Sequence, residues 1–202
     1  MVPTAWFIQV FALLLAVSAS VLGQAVEIKN GEHFITQSWS QEKDFKRPHL
    51  VHVPDEGAQK VLPIIIVLHG NGGSAERQMK AILKAWNVIP HKYILVFPEG
   101  YKASWNIVSE KSKADDREFV ESIVRDVSVH DNVRKDDFTI MGISNGAALV
   151  NQIAIETRLK QIRRYITGVS PLNVYQFDGP AFKAKGEAND YTAIAYPLIG
   201  KR

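Results

Sequence analysis

Phe138-Thr139-Ile140-Met141-Gly142-Ile143-Ser144-Asn145-Gly146-Ala147 runs from a strand-like stretch through a sharp turn into a helix-like one. Apolar and β-branched residues lead up to Gly142, and a helical pattern follows from residue 147 to residue 159. Glycine stands two before and two after the serine. A turn this tight brings strand and helix backbones almost into contact, so neither position tolerates a Cβ. The bend lifts the Ser144 hydroxyl clear of the sheet and aims the positive end of the following helix at it. The G-x-S-x-G pattern alone turns up by chance in about one chain in fifteen of this size. Its meaning comes from the strand before it and the helix after it.

Outward from this turn, Leu62-Pro63-Ile64-Ile65-Ile66-Val67-Leu68 is apolar throughout, as a strand buried on both faces of a parallel sheet must be. Residues 93–97 and 165–169 read as further buried strands, and residues 26–29, 33–36 and 49–53 as short ones. Ser74 caps a helix whose Met79, Ile82, Leu83 and Trp86 share a face. Asp115 and Asp116 open another, with Phe119, Val120, Ile123, Val124 and Val127 on its apolar side. Strands alternating with helices predict a doubly wound, mostly parallel α/β sheet, whose ligand sites lie at the carboxyl ends of the strands.

One such end carries His69-Gly70-Asn71-Gly72-Gly73. A glycine turn there exposes backbone N–H groups. Asn71 is the first candidate donor and Gly72 the next, facing the N–H of Asn145 in the serine turn. Two amides converging on one point stabilise the oxyanion of a tetrahedral intermediate, at about 3–4 kcal/mol per donor.

The 202 residues have an ordinary globular composition and a formal net charge of +3, with no cysteine. Disulfides, thiolate chemistry and a cysteine zinc site are excluded. The densest basic groups, Lys43-Lys46-Arg47 and Lys160-Arg163-Arg164, read as solvated faces, not a nucleic-acid surface. Residues 5–23 are uncharged and end in Val21-Leu22-Gly23, which predicts a signal peptide over residues 1–23, a mature domain over 24–202, secretion, and no stable membrane association after cleavage.

The chain resembles secreted α/β-hydrolase-fold esterases of the polyhydroxybutyrate depolymerase and feruloyl or acetylxylan esterase group. The resemblance rests on Leu68-His-Gly-Asn-Gly-Gly-Ser74, Phe97-Pro-Glu-Gly100, Ser104-Trp-Asn106, Ala114-Asp-Asp116 with Phe119, and Gly142-Ile-Ser-Asn-Gly146. It implies Ser144 as nucleophile toward a small or polymeric carboxylic ester, the amides of Asn71 and Asn145 as oxyanion donors, and no metal or organic cofactor. Trp105 and Asn106 would shape the substrate side or merely pack the loop, and His69 would stand beside them.

The departure is equally plain. In this fold the order is serine, acid, histidine, yet His33, His49, His52, His69, His91 and His130 all precede Ser144. After it, Glu156 falls on the elbow helix, and Asp178, Glu187 and Asp190 fall in irregular sequence. No triad acid or histidine is identified. Three readings stay open: a chain that stops before the triad strand, leaving the sheet incomplete at its C-terminal edge; a non-catalytic relative that binds a polysaccharide or polyester; or recruitment of an upstream histidine, His69 being nearest.

Overall fold

Leu62–Leu68 (β3) is the central strand because it is apolar on both faces. Ile64, Ile66 and Leu68 point into one core and Ile65 and Val67 into another, so burial on both sides absorbs the whole run. The computed structural model describes residues 26–55, 60–107 and 110–170, and the backbone of 177–178 and 181–182. The expected signal peptide, Glu187, Asp190 and the side chain of Asp178 lie outside the described residues.

Beside β3 run two parallel neighbours, β4 (Ile94–Pro98) and β5 (Val133–Ile143). A hairpin of β1 (Gly31–Trp39) and β2 (Glu42–His52) adds to β4 in antiparallel sense, and β6 (Ile162–Gly168) pairs parallel to β5. The order is β1-β2-β4-β3-β5-β6. Helix α1 (Ala75–Ala85) covers the Ile65 face, and a single turn, α2 (Ile89–Lys92), precedes β4. Helices α3 (Asp116–Val127) and α4 (Asn145–Glu156) cover the Ile64 face. Two two-residue strands, β7 (Phe177–Asp178) and β8 (Ala181–Phe182), pair separately, the first of them where Asp178 is expected in irregular sequence.

The predicted Ser74 cap forms, its side chain accepting from Arg77 N–H at 3.3 Å, and the helix expected to start at Asp115 and Asp116 is capped by Asp115, which accepts from Glu118 N–H at 2.9 Å. Residues 26–29 are not a strand. The Asn132 side chain takes both backbone groups of Ile28 at 3.0 Å, leaving none for a ladder. β2 begins well before residue 49, and this corrects the reading of Lys43-Lys46-Arg47 as one solvated face. Lys43 and Lys46 are exposed, but Arg47 turns inward with His49 and Val51 and is 1% exposed. His49 is fully buried and its ring nitrogens have no partner, so burial pushes its imidazole down to about 4. An unfolded imidazole takes its proton near 6.5; stability tied to neutral His49 is therefore present above that pH and lost as pH falls toward 4.

Among the described residues β6 is the outer strand on its side, and it exposes Ile166. No helix among the described residues is long and apolar enough to cross a membrane.

Candidate active site

Ser144 sits between β5 and α4 with φ 55° and ψ −123°, a conformation that non-glycine residues avoid. The neighbouring backbone over-determines it. Its N–H donates to the Gly168 carbonyl at 2.9 Å, and its carbonyl accepts from Ala148 N–H at 3.1 Å. A Cβ on Gly142 would meet the Gly146 carbonyl at 2.5 Å, and one on Gly146 would meet the carbonyl oxygens of His69 and Leu68 at 2.5 and 2.6 Å. The two glycines are thus required by contact, as the turn reading predicts. A serine preceding a helix usually spends its oxygen on capping. Ser144 makes no such bond, and the residue is exposed.

The glycine turn lies alongside. Leu68 and Gly142 are paired in the parallel ladder, so the residues after each emerge together. A Cβ on Gly70 would fall 3.5 Å from the Ser144 Cβ. The turn closes with Gly73 N–H on the Gly70 carbonyl at 2.9 Å, and Gly72 has φ +72° at its third position. Gly72 cannot serve as the second-choice donor in this conformation, because its N–H is already given to the Ala103 carbonyl at 2.8 Å. The Asn71 amide makes no backbone bond within the turn. The Asn145 amide opens α4, where a helix has no acceptor for it.

His69 and Trp105 are buried and fasten the loops around the turn, and the edge of His69 also borders the small cavity at the glycine turn. His69 is 1% exposed and Trp105 is 0% exposed. Since Gly100 N–H can only donate, His69 Nε2 accepts it at 3.0 Å, and Nδ1 carries the proton toward the Gly70 carbonyl at 2.8 Å. Both ring nitrogens are thereby committed. The Glu99 carboxylate, 3.9 Å away, faces a neutral ring and makes no ion pair with it. This removes His69 as a recruited base in the described arrangement. The Trp105 indole packs on His69 at 4.8 Å and donates to the His69 carbonyl at 2.7 Å. Asn106 is likewise tied inward, its N–H to Asp116 at 2.6 Å and its amide to the Ala114 carbonyl at 3.0 Å.

Sequence reading does not reveal that Asp116 and Arg47 pair behind the segment that carries Trp105 and Asn106. Their ion pair closes at 2.5 Å with both side chains buried, and the guanidinium lies 3.7 Å over the Phe119 ring. Burial raises the Asp116 carboxyl above the ordinary carboxylate range and lowers the Arg47 guanidinium, while their attraction opposes both shifts. The available signal was the doubled acid: Asp115 suffices as cap, leaving Asp116 without a role at a helix start. Arg77 was also missed; it donates to the Gly72 carbonyl at 2.5 Å and steadies the turn from outside.

No protein-family model and no curated protein matches the sequence. Solved structures do. A thermostable esterase superimposes with a TM-score of 0.55 at 16% identity, over 72% of this chain and 42% of that one. Poly(aspartic acid) hydrolase-1 from Sphingomonas sp. KT-1 gives 0.54 at 15%, over 80% and 66%. The fluorophosphonate-binding serine hydrolase F of Staphylococcus aureus gives 0.51 at 15%, over 70% and 57%. The chain therefore spans between 42% and 66% of the length of these structures. What they share with it at such identities is architecture: the chain has an α/β-hydrolase-like fold.

Proposed function

We propose that the chain carries the nucleophile and oxyanion half of a serine carboxylic-ester hydrolase, of the polyhydroxybutyrate depolymerase or feruloyl–acetylxylan esterase kind, acting on a small or polymeric ester outside the cell. The observation that carries this reading is Ser144: a non-glycine residue at φ 55°, its hydroxyl unspent on capping, beside a glycine turn. Strain of this kind costs about 1–3 kcal/mol and persists where the surroundings impose it, typically at functional sites.

In the proposed reaction Ser144 Oγ attacks the ester carbonyl carbon. The carbonyl electron pair moves to oxygen, which the Asn71 and Asn145 amides receive. A general base takes the Ser144 proton and returns it to the departing alkoxide, so that collapse of the intermediate releases the alcohol and leaves an acyl-enzyme, which water hydrolyses to the acid as the proton returns to Ser144. The serine proton requires a base, and among the described residues no imidazole bonds Ser144. That observation supports a second reading, a polyester- or polysaccharide-binding relative without turnover. Export is supported by the uncharged stretch at residues 5–23.

Hydrolysis of p-nitrophenyl acetate by the intact chain and by Ser144→Ala tests the first reading. A Ser144-dependent rate is expected; equal rates remove Ser144 from the chemistry. Saturable polymer binding that survives Ser144→Ala, without Ser144-dependent turnover, supports the second.

A further inference from the structure

Asn145 enters the proposed mechanism only through its backbone amide, yet its side chain is fully employed. Its Oδ1 accepts from Trp105 N–H at 2.7 Å and from the Ser104 hydroxyl at 3.3 Å. Its Nδ2 donates to the Trp105 carbonyl at 3.1 Å and to the Glu110 carboxylate at 3.1 Å. That uses both lone-pair sites and both hydrogens of the amide, and no other neutral side chain of this size offers the set. Because Trp105 presents a donor and an acceptor at once, the orientation of the carboxamide is fixed.

The segment it grips also holds the opposite half of the site. The Ala103 carbonyl accepts from the Gly72 N–H at 2.8 Å, and the Trp105 indole N–H donates to the His69 carbonyl at 2.7 Å. Behind it, Asn106 N–H is anchored on Asp116. Lys102 and Ala103 have φ of 56° and 58°, so the segment reaches these partners through a backbone that would otherwise relax. The segment therefore touches the glycine turn through Ala103 and the serine elbow through Ser104 and Trp105.

We infer that Asn145 is a positioning residue: its carboxamide, closed on the Trp105 backbone, sets the spacing between the elbow amide and the glycine-turn amide through residues 103–106. The inference rests on Ser144 being the nucleophile. It assigns the residue after the serine a side-chain role separate from its N–H.

The test uses the full chain with Asn145→Ala and Asn145→Asp, and Ser144→Ala as background. Aspartate keeps the acceptor for Trp105 N–H but loses the donor and faces Glu110, so it serves if alanine fails to fold. Imidazole is added as an exogenous base, and p-nitrophenyl acetate hydrolysis above the Ser144→Ala background is measured. Both variants are expected to lower kcat about tenfold to a hundredfold with KM little changed, since small displacements of reacting groups have effects of that order. An unchanged kcat overturns the inference.

Amide hydrogen exchange gives a readout independent of turnover. Asn145→Ala should speed exchange at Trp105 and also at Gly72, which Asn145 does not touch, while the β3 amides keep their protection. If no Ser144-dependent hydrolysis is found in any form, the mechanistic reading fails and exchange alone decides the clamp. Faster exchange at Gly72 upholds it, and unchanged exchange there overturns it.

Discussion

Two turns end neighbouring strands of one sheet, and they are held by opposite means. The glycine turn after β3 obtains its positive φ from Gly72, whose absent Cβ would meet nothing within 4 Å. At Gly72 the difficulty is conformational, and glycine removes it; Gly73 beside it is required by contact, since a Cβ there would meet the Gly70 carbonyl at 2.7 Å. The elbow after β5 places the positive φ on Ser144 and crowds the glycines around it until no other residue fits. One turn avoids strain by its choice of residue. The other keeps strain in place by packing, because the residue that must occupy the apex has a side chain.

This contrast can be broken most severely at Gly146. Gly146→Ala forces a methyl group onto the carbonyl oxygens of Leu68 and His69, and stability should fall by about 4 kcal/mol or more in chemical denaturation. A loss below about 1 kcal/mol would show that the elbow is loosely packed. Next comes Asp116→Asn, which leaves the Arg47 charge buried without its counter-charge. A loss of about 3–5 kcal/mol is expected, with faster amide exchange at Asn106.

The strain itself is measured by comparing Ser144→Gly with Ser144→Ala. Glycine should be more stable than alanine by about 1–3 kcal/mol, since alanine keeps the Cβ in the disfavoured conformation. Equal melting temperatures would place the strain elsewhere. Gly72→Ala sharpens the other side: with free space around the site, only the backbone cost of about 1–2 kcal/mol should appear.

Local rules made much of this legible from the chain alone. The serine turn, the caps at Ser74 and Asp115, and the doubly buried run of β3 each follow from neighbours in sequence. What escaped was held together across the fold. Arg47 meets Asp116 from 69 residues away, and Asn145 meets Trp105 from 40. A lysine- and arginine-rich stretch gives no sign that one of its cations turns inward, and a tryptophan near a presumed site looks the same whether it lines the pocket or props the wall. Gly72 belongs with these: a glycine-rich turn advertises amides without saying which ones a distant carbonyl already holds, as Ala103 holds that of Gly72.

The bond from Ser144 N–H to the Gly168 carbonyl fastens the apex of the elbow to the last position of β6, the outer strand among the described residues. That strand consequently acts as a tether: a force or a bound chain that tugs on it is transmitted, through a single peptide, to the serine at the end of the neighbouring strand β5.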